Sequence, residues 1–448
     1  MTVMGDDGTD AEQLRKRGFL VRSAASLVST AAVTSGLGFI FWTSAARMFS
    51  ASEVGESATA IAAMSLIAPF TVLGFGTALV SKLPEMRSNR PELVSTVALA
   101  CAVVGGAVAL VCALALPGDF LGIPGIGHDV FTTALFAAGV AAHSVAMMLD
   151  TALLSVSGGG IQLGRNVIQA VLKLVLLVVF ALTLSQLGSL SIYASWFVAN
   201  VASIAAVTVW LLRKHRVLVS QLRPRLSALR GLQFDAAKHH SLNLALTVPF
   251  FAMPIVANVT LGSERAGYLY ATWSLAGFVF VLPIAMSMAL FASGSKDSST
   301  ILTEFRFTLR YSLAASVGAN LLILPLGGLV LSIFGAAYAE NGRTALIVLC
   351  VGGIGLVIRD HHVAIARITG KVGREAVLMT ALGACELVGA AIGASRGGLT
   401  EMSLGWLAAV GLEVLVCTPL VWRAYRGRLE VATHATADEA RNGAAESR

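Results

Sequence analysis

The chain is 448 residues long, 56% hydrophobic and 13% charged, with a mean hydropathy of +0.79. Soluble domains carry about 25% charged residues, so these values exclude a soluble enzyme, a nucleic-acid-binding protein and a disordered chain, and leave a polytopic membrane protein. The net charge of +7 is therefore read first as an orientation signal.

Twelve apolar runs approach the length of about 20 residues that a spanning helix needs. In chain order they are 20–43, 57–80, 94–116, 130–155, 166–184, 190–212, 240–260, 266–291, 308–333, 343–366, 375–395 and 401–422. None alternates with a period of two, so the runs predict helices and not barrel strands. The first is expected to be retained, because a polar segment precedes it and no small-residue cleavage site follows. With the N-terminus inside, 26 of the 32 Lys and Arg fall in inner segments, four (Arg47, Arg265, Arg343, Arg396) in outer loops, and Lys173 and Arg359 within spans. That bias predicts a multi-pass protein of the cytoplasmic membrane with both termini cytoplasmic. Trp210 and Trp422 close spans 6 and 12 as interfacial anchors. All five cysteines lie in apolar runs, where they act as small apolar groups.

The expected organisation is a cytoplasmic segment 1–19, an N-lobe 20–212, a basic cytoplasmic linker 213–239, a C-lobe 240–428 and a disordered tail 429–448. A shift of about 209–212 residues supports two related six-helix lobes. It lays Trp210-Leu-Leu-Arg-Lys-His-Arg on Trp422-Arg-Ala-Tyr-Arg-Gly-Arg, Gly55 on Gly267, and Gly164-Arg165 on Gly373-Arg374. Asp150 and Arg359 each lie fifteen residues before those arginines. Both lobes start inside, so the repeat is parallel, a design that places substrate in a central cavity between lobes.

The stretch beginning at Gly36, GLGFIFWTSAARMFSASEVGESATAIAAMSLIAPFTVLGFGTALVSKLPE, resembles the first helical hairpin of polysaccharide (oligosaccharide-lipid) flippases. There a small-residue turn carries Glu53-Val54-Gly55, and a Gly-Phe-Gly-Thr-Ala run leads to a basic inner loop. LDTALLSVSGGGIQLGRNVIQAVLKLVLL (149–177), with Asp150, Gly164-Arg165-Asn166 and Lys173, is similar to the same family. The family belongs to the multidrug/oligosaccharidyl-lipid/polysaccharide exporter superfamily. The resemblance implies an all-α fold of two six-helix bundles and translocation of a polyprenyl-diphosphate-linked saccharide by alternating access. The partners expected are that lipid-linked saccharide, membrane lipids and glycan-assembly enzymes, with no cofactor and no nucleic acid. The drug/cation antiporter branch of the superfamily shares the fold and is the alternative.

An ionisable group at mid-membrane costs about 2.5–3.5 kcal/mol on insertion scales, so each one present needs a reason. Lys173 and Arg359, with Arg22 at the entry of span 1, read as a cationic lining for a diphosphate, with Asp150 and His362 beside them. The competing reading of Lys173 is a structural ion pair with Asp150. Arg359-Asp360-His361-His362 spreads around almost a full helical turn, so the four cannot all face one cavity. Adjacent histidines lack the four-residue spacing of a helical metal site, and none is expected. Glu386 and Glu413, on the last two spans, are candidates for a coupling proton or cation, or for structural bonds to neighbouring helices. Asn200, Asn243, Asn258 and Asn320 read as interhelical hydrogen-bonding residues, and Gly389-x-x-x-Gly393 as close helix packing. No G-x-x-x-x-G-K-[ST] occurs, so ATP is not the expected direct energy source. A membrane glycosyl polymerase would need a large outer loop, which is lacking here; a scaffold that recruits partners through its tail is a third possibility.

Overall fold

A computed structural model of the chain describes residues 33–72, 79, 83, 86, 90–157, 159–215, 219–225, 237–294 and 301–427. Twelve long helices run through them: α1 (33–48), α2 (Ala51–Thr71), α3 (Arg90–Ala115), α4 (Val130–Ser157), α5 (Gly159–Thr183), α6 (Ser189–His215), α7 (Ala237–Leu261), α8 (Ser263–Gly294), α9 (Ile301–Ser332), α10 (Ala336–Ile368), α11 (Val372–Arg396) and α12 (Leu399–Tyr425). No strand occurs among the described residues. Eleven of these helices are long and apolar enough to cross a membrane. A helix satisfies its own backbone groups, which is why hydrocarbon favours it for so apolar a chain.

The chain divides into two compact units, Met1–His240 and Ser241–Arg448. In the first, α2 is the most enclosed helix and packs against α4 and α6, while α3 lies on α4 and α5 on α6. In the second, α10 is central and touches α8, α9 and α12, and α11 packs on α12.

Most helix starts precede the hydropathy reading and extend into polar sequence, whereas α2 ends at Thr71, nine residues before the end of the run 57–80. Glu53-Val54-Gly55, expected in a turn, is the first turn of α2. Ser50 caps it, with its Oγ 3.3 Å from the Glu53 N–H, while the Ser50 N–H donates to Glu53 Oε2 at 2.8 Å. That reciprocal box supplies acceptors for free N–H groups, so the helix starts six residues before the apolar run. Glycines set the closest packing. A Cβ on Gly389 would stand 2.5 Å from the Gly405 carbonyl oxygen, so α11 and α12 meet backbone to backbone.

One local contact recurs at the shift read from the sequence. Lys214 Nζ lies 4.5 Å from the Trp210 ring centroid at the end of α6, and the Arg426 guanidinium lies 4.6 Å from that of Trp422 just past α12. Both are cation–aromatic pairs four residues apart, at a shift of 212 residues.

Candidate functional site

In the N-terminal unit, the carboxylate of Asp150 on α4 is gripped by Arg165 on α5. Nε donates to Oδ1 and Nη2 to Oδ2, each at 2.6 Å. Arg165 also donates to Asn166 Oδ1 at 2.9 Å and to Ser203 Oγ at 3.3 Å. Asp150 therefore pairs with Arg165 and not with Lys173. Eight residues separate the two cations on α5, about 12 Å along the axis, and Asp150 reaches the nearer one. The inner-loop position assigned to Arg165 from hydropathy is corrected too: α5 begins at Gly159, and Arg165 is 3% exposed inside it.

Lys173, 5% exposed, has an aromatic setting. Its Nζ lies 4.0 Å from the ring centroid of Trp196 on α6 and 5.1 Å from that of Phe41 on α1. Phe41 and Trp196 meet edge to face at 6.4 Å. Among the described residues no carboxylate pairs with Lys173. The buried Trp196 Nε1 beside it has no hydrogen-bond partner either. His143 on α4 lies close enough to Arg165 and Lys173 to feel both charges. The site thus offers positive charge and an unmet donor, with no carboxylate paired to the charge among the described residues. Arg22 lies outside the described residues.

In the C-terminal unit, Arg359 on α10 is surrounded by acids, where a free guanidinium lining was expected. Its Nη2 is 3.2 Å from Asp360 Oδ1, and its Nη1 is 3.4 Å from Glu386 Oε1 and 3.7 Å from Glu413 Oε2. The acids sit on α10, α11 and α12 and converge because α10 packs against α12, and α12 against α11. Glu386 Oε2 also accepts from Trp406 Nε1 at 2.6 Å, and the Glu413 carboxyl adjoins that of Glu386 within hydrogen-bonding reach. Three carboxyls on one guanidinium leave a surplus of negative charge whenever all are ionised. A proton or a monovalent cation there relieves it.

His362 lies one turn from Arg359 yet serves another contact: its Nε2 is 2.9 Å from Glu375 Oε1 on α11, and its Nδ1 is 3.2 Å from the Cys417 carbonyl. His361 is fully buried, with Nδ1 2.8 Å from the Val357 carbonyl and Nε2 3.3 Å from Thr308 Oγ1. The run 359–362 thus faces three ways, as its spread around the helix dictates. Asn320 Nδ2 bonds the Cys350 carbonyl at 2.9 Å, and Asn243 Oδ1 accepts from Arg367 at 2.8 Å, both between helices.

Sequence reasoning missed Trp196 and Trp406. They stand 210 residues apart, within the range of 209–212 that brought the other features into register. Each faces a buried charge on the preceding helix, a cation in one unit and a carboxylate in the other.

No family model matches the sequence, and no curated protein matches it. Solved structures do. An inward-facing multidrug-resistance MATE family transporter of the MOP superfamily is similar at a TM-score of 0.71 and 15% identity, over 89% of this chain and 96% of that one. The outward-facing form of such a transporter is similar at a TM-score of 0.62 and 15% identity, over 91% and 95%. A MOP superfamily transporter from Pyrococcus furiosus, for which reverse polarity of the binding pocket suggests a different function, is similar at a TM-score of 0.59 and 13% identity, over 90% and 95%. The chain has the fold of MATE-type transporters of the MOP superfamily.

Proposed function

We propose that the protein is an alternating-access transporter that moves a polyprenyl-diphosphate-linked saccharide from the inner to the outer leaflet of the cytoplasmic membrane, for polysaccharide or cell-envelope glycan assembly. The observation that carries the reading is Lys173, an ammonium 5% exposed on two aromatic faces with no carboxylate among the described residues. A cation–aromatic contact contributes about 0.5–2 kcal/mol, whereas burying an ion costs several. An anion from outside the protein closes that gap, and a diphosphate offers charge and acceptors together. The orphaned indole N–H of Trp196 supplies a second donor. Arg22 belongs to the same inner approach in this reading. The Asp150–Arg165 pair holds α4 to α5 so that Lys173 keeps its place, Arg359 orders the acidic cluster, and His362 ties α10 to α11 and α12 through Glu375 and the Cys417 carbonyl.

Glu386 and Glu413 then bind the coupling proton or cation. An interior-negative potential itself favours outward movement of an anion, by about 2.3 kcal/mol per charge per 100 mV. The Pyrococcus furiosus transporter is a parallel within this fold, because its pocket polarity is read as a change of function.

A drug/cation antiporter is the second reading. The excess of carboxyls around Arg359 and the multidrug-resistance neighbours favour it. Replacement of Lys173 decides between them in cells that depend on this chain. Lys173→Gln should abolish surface glycan and accumulate its lipid-linked precursor on the inner leaflet, with normal protein in the membrane, while Lys173→Arg keeps most output. Normal glycan from Lys173→Gln overturns the proposal. Loss of efflux of a hydrophobic cation in Glu413→Gln, with glycan unchanged, establishes the antiporter.

A further inference from the structure

We propose that the end of the C-terminal unit where α9 begins and α12 finishes is a binding site for an anionic phospholipid headgroup. Four arginines meet there. Arg306 Nε donates to the Tyr425 carbonyl at 2.9 Å, and Arg310 Nη2 donates to the Tyr425 hydroxyl at 2.5 Å. Their guanidiniums lie 5.4 and 5.6 Å from the Tyr425 ring centroid. Tyr425 stacks on Trp422 with ring centroids 6.0 Å apart, and Arg426 covers the Trp422 ring at 4.6 Å. Arg423 is exposed beside them. None of the four pairs with a carboxylate among the described residues; Glu304 lies two residues before Arg306, and Glu430, four residues past Arg426, is outside the described residues.

Two like charges held on one phenol ring repel each other, and an anion placed between them reverses that term. Guanidinium forks fit phosphate oxygens bidentately. A tryptophan and a tyrosine stacked at a helix end are what the headgroup level of a bilayer favours. The surface next to the patch suits acyl chains: Phe307 and Tyr311 are 52% and 59% exposed, and farther along α9 Leu321, Leu322, Leu324 and Leu329 are 54–68% exposed. Charge and aromatic rings at the end of α12 and the start of α9 give way to apolar surface farther along α9. That sequence of surfaces matches a phosphodiester lipid and not a soluble anion.

A general excess of basic residues does not account for the patch, because the repeat-related end of the N-terminal unit is built differently. There Lys214 covers Trp210 alone, and the acid Glu92 near the start of α3 meets Arg225 at 3.7 Å. One unit meets a base at its end with a carboxylate, whereas at the other the four guanidiniums have no carboxylate partner among the described residues.

Thermal unfolding of the full chain in dodecyl maltoside, with added dioleoyl-phosphatidylglycerol or dioleoyl-phosphatidylcholine, tests the site. Phosphatidylglycerol should raise Tm by several degrees more than phosphatidylcholine, and the exposed-arginine variant R310Q/R423Q/R426Q should lose at least half of that difference. R213Q/K214Q, at the end of α6, should keep it. Native mass spectrometry of the wild-type chain and of R426Q alone gives a second readout, with fewer retained phosphatidylglycerol molecules expected in the variant. Equal responses to the two lipids in the wild-type chain, or an undiminished difference in the triple variant, overturns the proposal, as does equal lipid retention by R426Q.

Discussion

Arg165 and Lys173 are two cations on one helix, and the surrounding side chains treat them oppositely. Arg165 spends its fork on Asp150 and its remaining donors on Asn166 and Ser203. Lys173 receives only ring faces. Removing one partner of a buried pair strands the other charge, which costs about 3–5 kcal/mol, whereas replacing both by apolar groups is far milder. Arg165→Met should therefore lower the thermal midpoint of the purified protein by many degrees, and Asp150→Leu/Arg165→Met should recover most of the loss. A double variant no more stable than Arg165→Met would mean that the pair is not what Arg165 contributes. Lys173→Met should leave the midpoint unchanged or raise it, since it deletes a charge that no acid balances. That Lys173 is unusual was legible in the sequence, because a lone Lys in an apolar run stands out at about 2.5–3.5 kcal/mol of insertion cost. The partner was not. Asp150 is followed by two cations on α5, and only the rise of α5 past α4 decides that the nearer, Arg165, meets it.

Helix packing in this chain turns on where side chains are missing. Gly352 and Gly353 on α10 admit the rings of Trp406 and Phe280, since a Cβ on Gly353 would stand 2.7 Å from Phe280. Trp406 is wedged at 5.3 Å from the Trp273 centroid and so delivers its N–H to Glu386. On α11 and α12, Gly389 and Gly405 bring two backbones together. Gly389-x-x-x-Gly393 was readable in advance as a close-packing face. Gly405 and the α10 glycines were not, because a glycine's neighbour across a helix interface leaves no mark on its own sequence. The helices themselves were legible, since hydrocarbon leaves a long apolar run little alternative; their polar first turns, such as Ser50 to Glu53, carry caps that hydropathy does not register. Overpacking costs about 1–3 kcal/mol, occasionally more. Gly405→Val should accordingly abolish a monodisperse peak on size-exclusion chromatography or lower the thermal midpoint strongly. Gly411→Ala, on the same helix with open space at its Cβ, should be neutral or raise the midpoint slightly, because alanine is the better helix former by about 1 kcal/mol. Equal behaviour of the two variants would remove close approach as the reason for Gly405.

Over the whole chain, the two units repeat a motif with its sign reversed: Lys173 over Trp196 in one, Glu386 on Trp406 in the other. The Lys173 site has no carboxylate partner among the described residues, and the Arg359 site holds three carboxyls against one guanidinium. Asp360 Oδ2 and Glu413 Oε2 are buried without a hydrogen-bond partner, although Glu413 Oε2 lies 3.7 Å from Arg359 Nη1, and the proposed coupling ion is assigned to these oxygens. On the proposed reading the two driving forces act on different units, and this separates them experimentally. A diphosphate moving outward responds to potential at about 2.3 kcal/mol per charge per 100 mV. A proton exchanged at the acidic cluster responds to a pH difference at about 1.4 kcal/mol per unit. In proteoliposomes carrying a fluorescent lipid-diphosphate saccharide, the wild-type chain should translocate faster under either gradient. Glu413→Gln should keep the response to a valinomycin-imposed potential and lose most of the response to a pH difference, while Lys173→Gln loses both. A full pH response in Glu413→Gln would take the coupling role away from the C-terminal cluster while leaving the anion site standing. Loss of the potential response alone would put a substrate charge in that cluster instead.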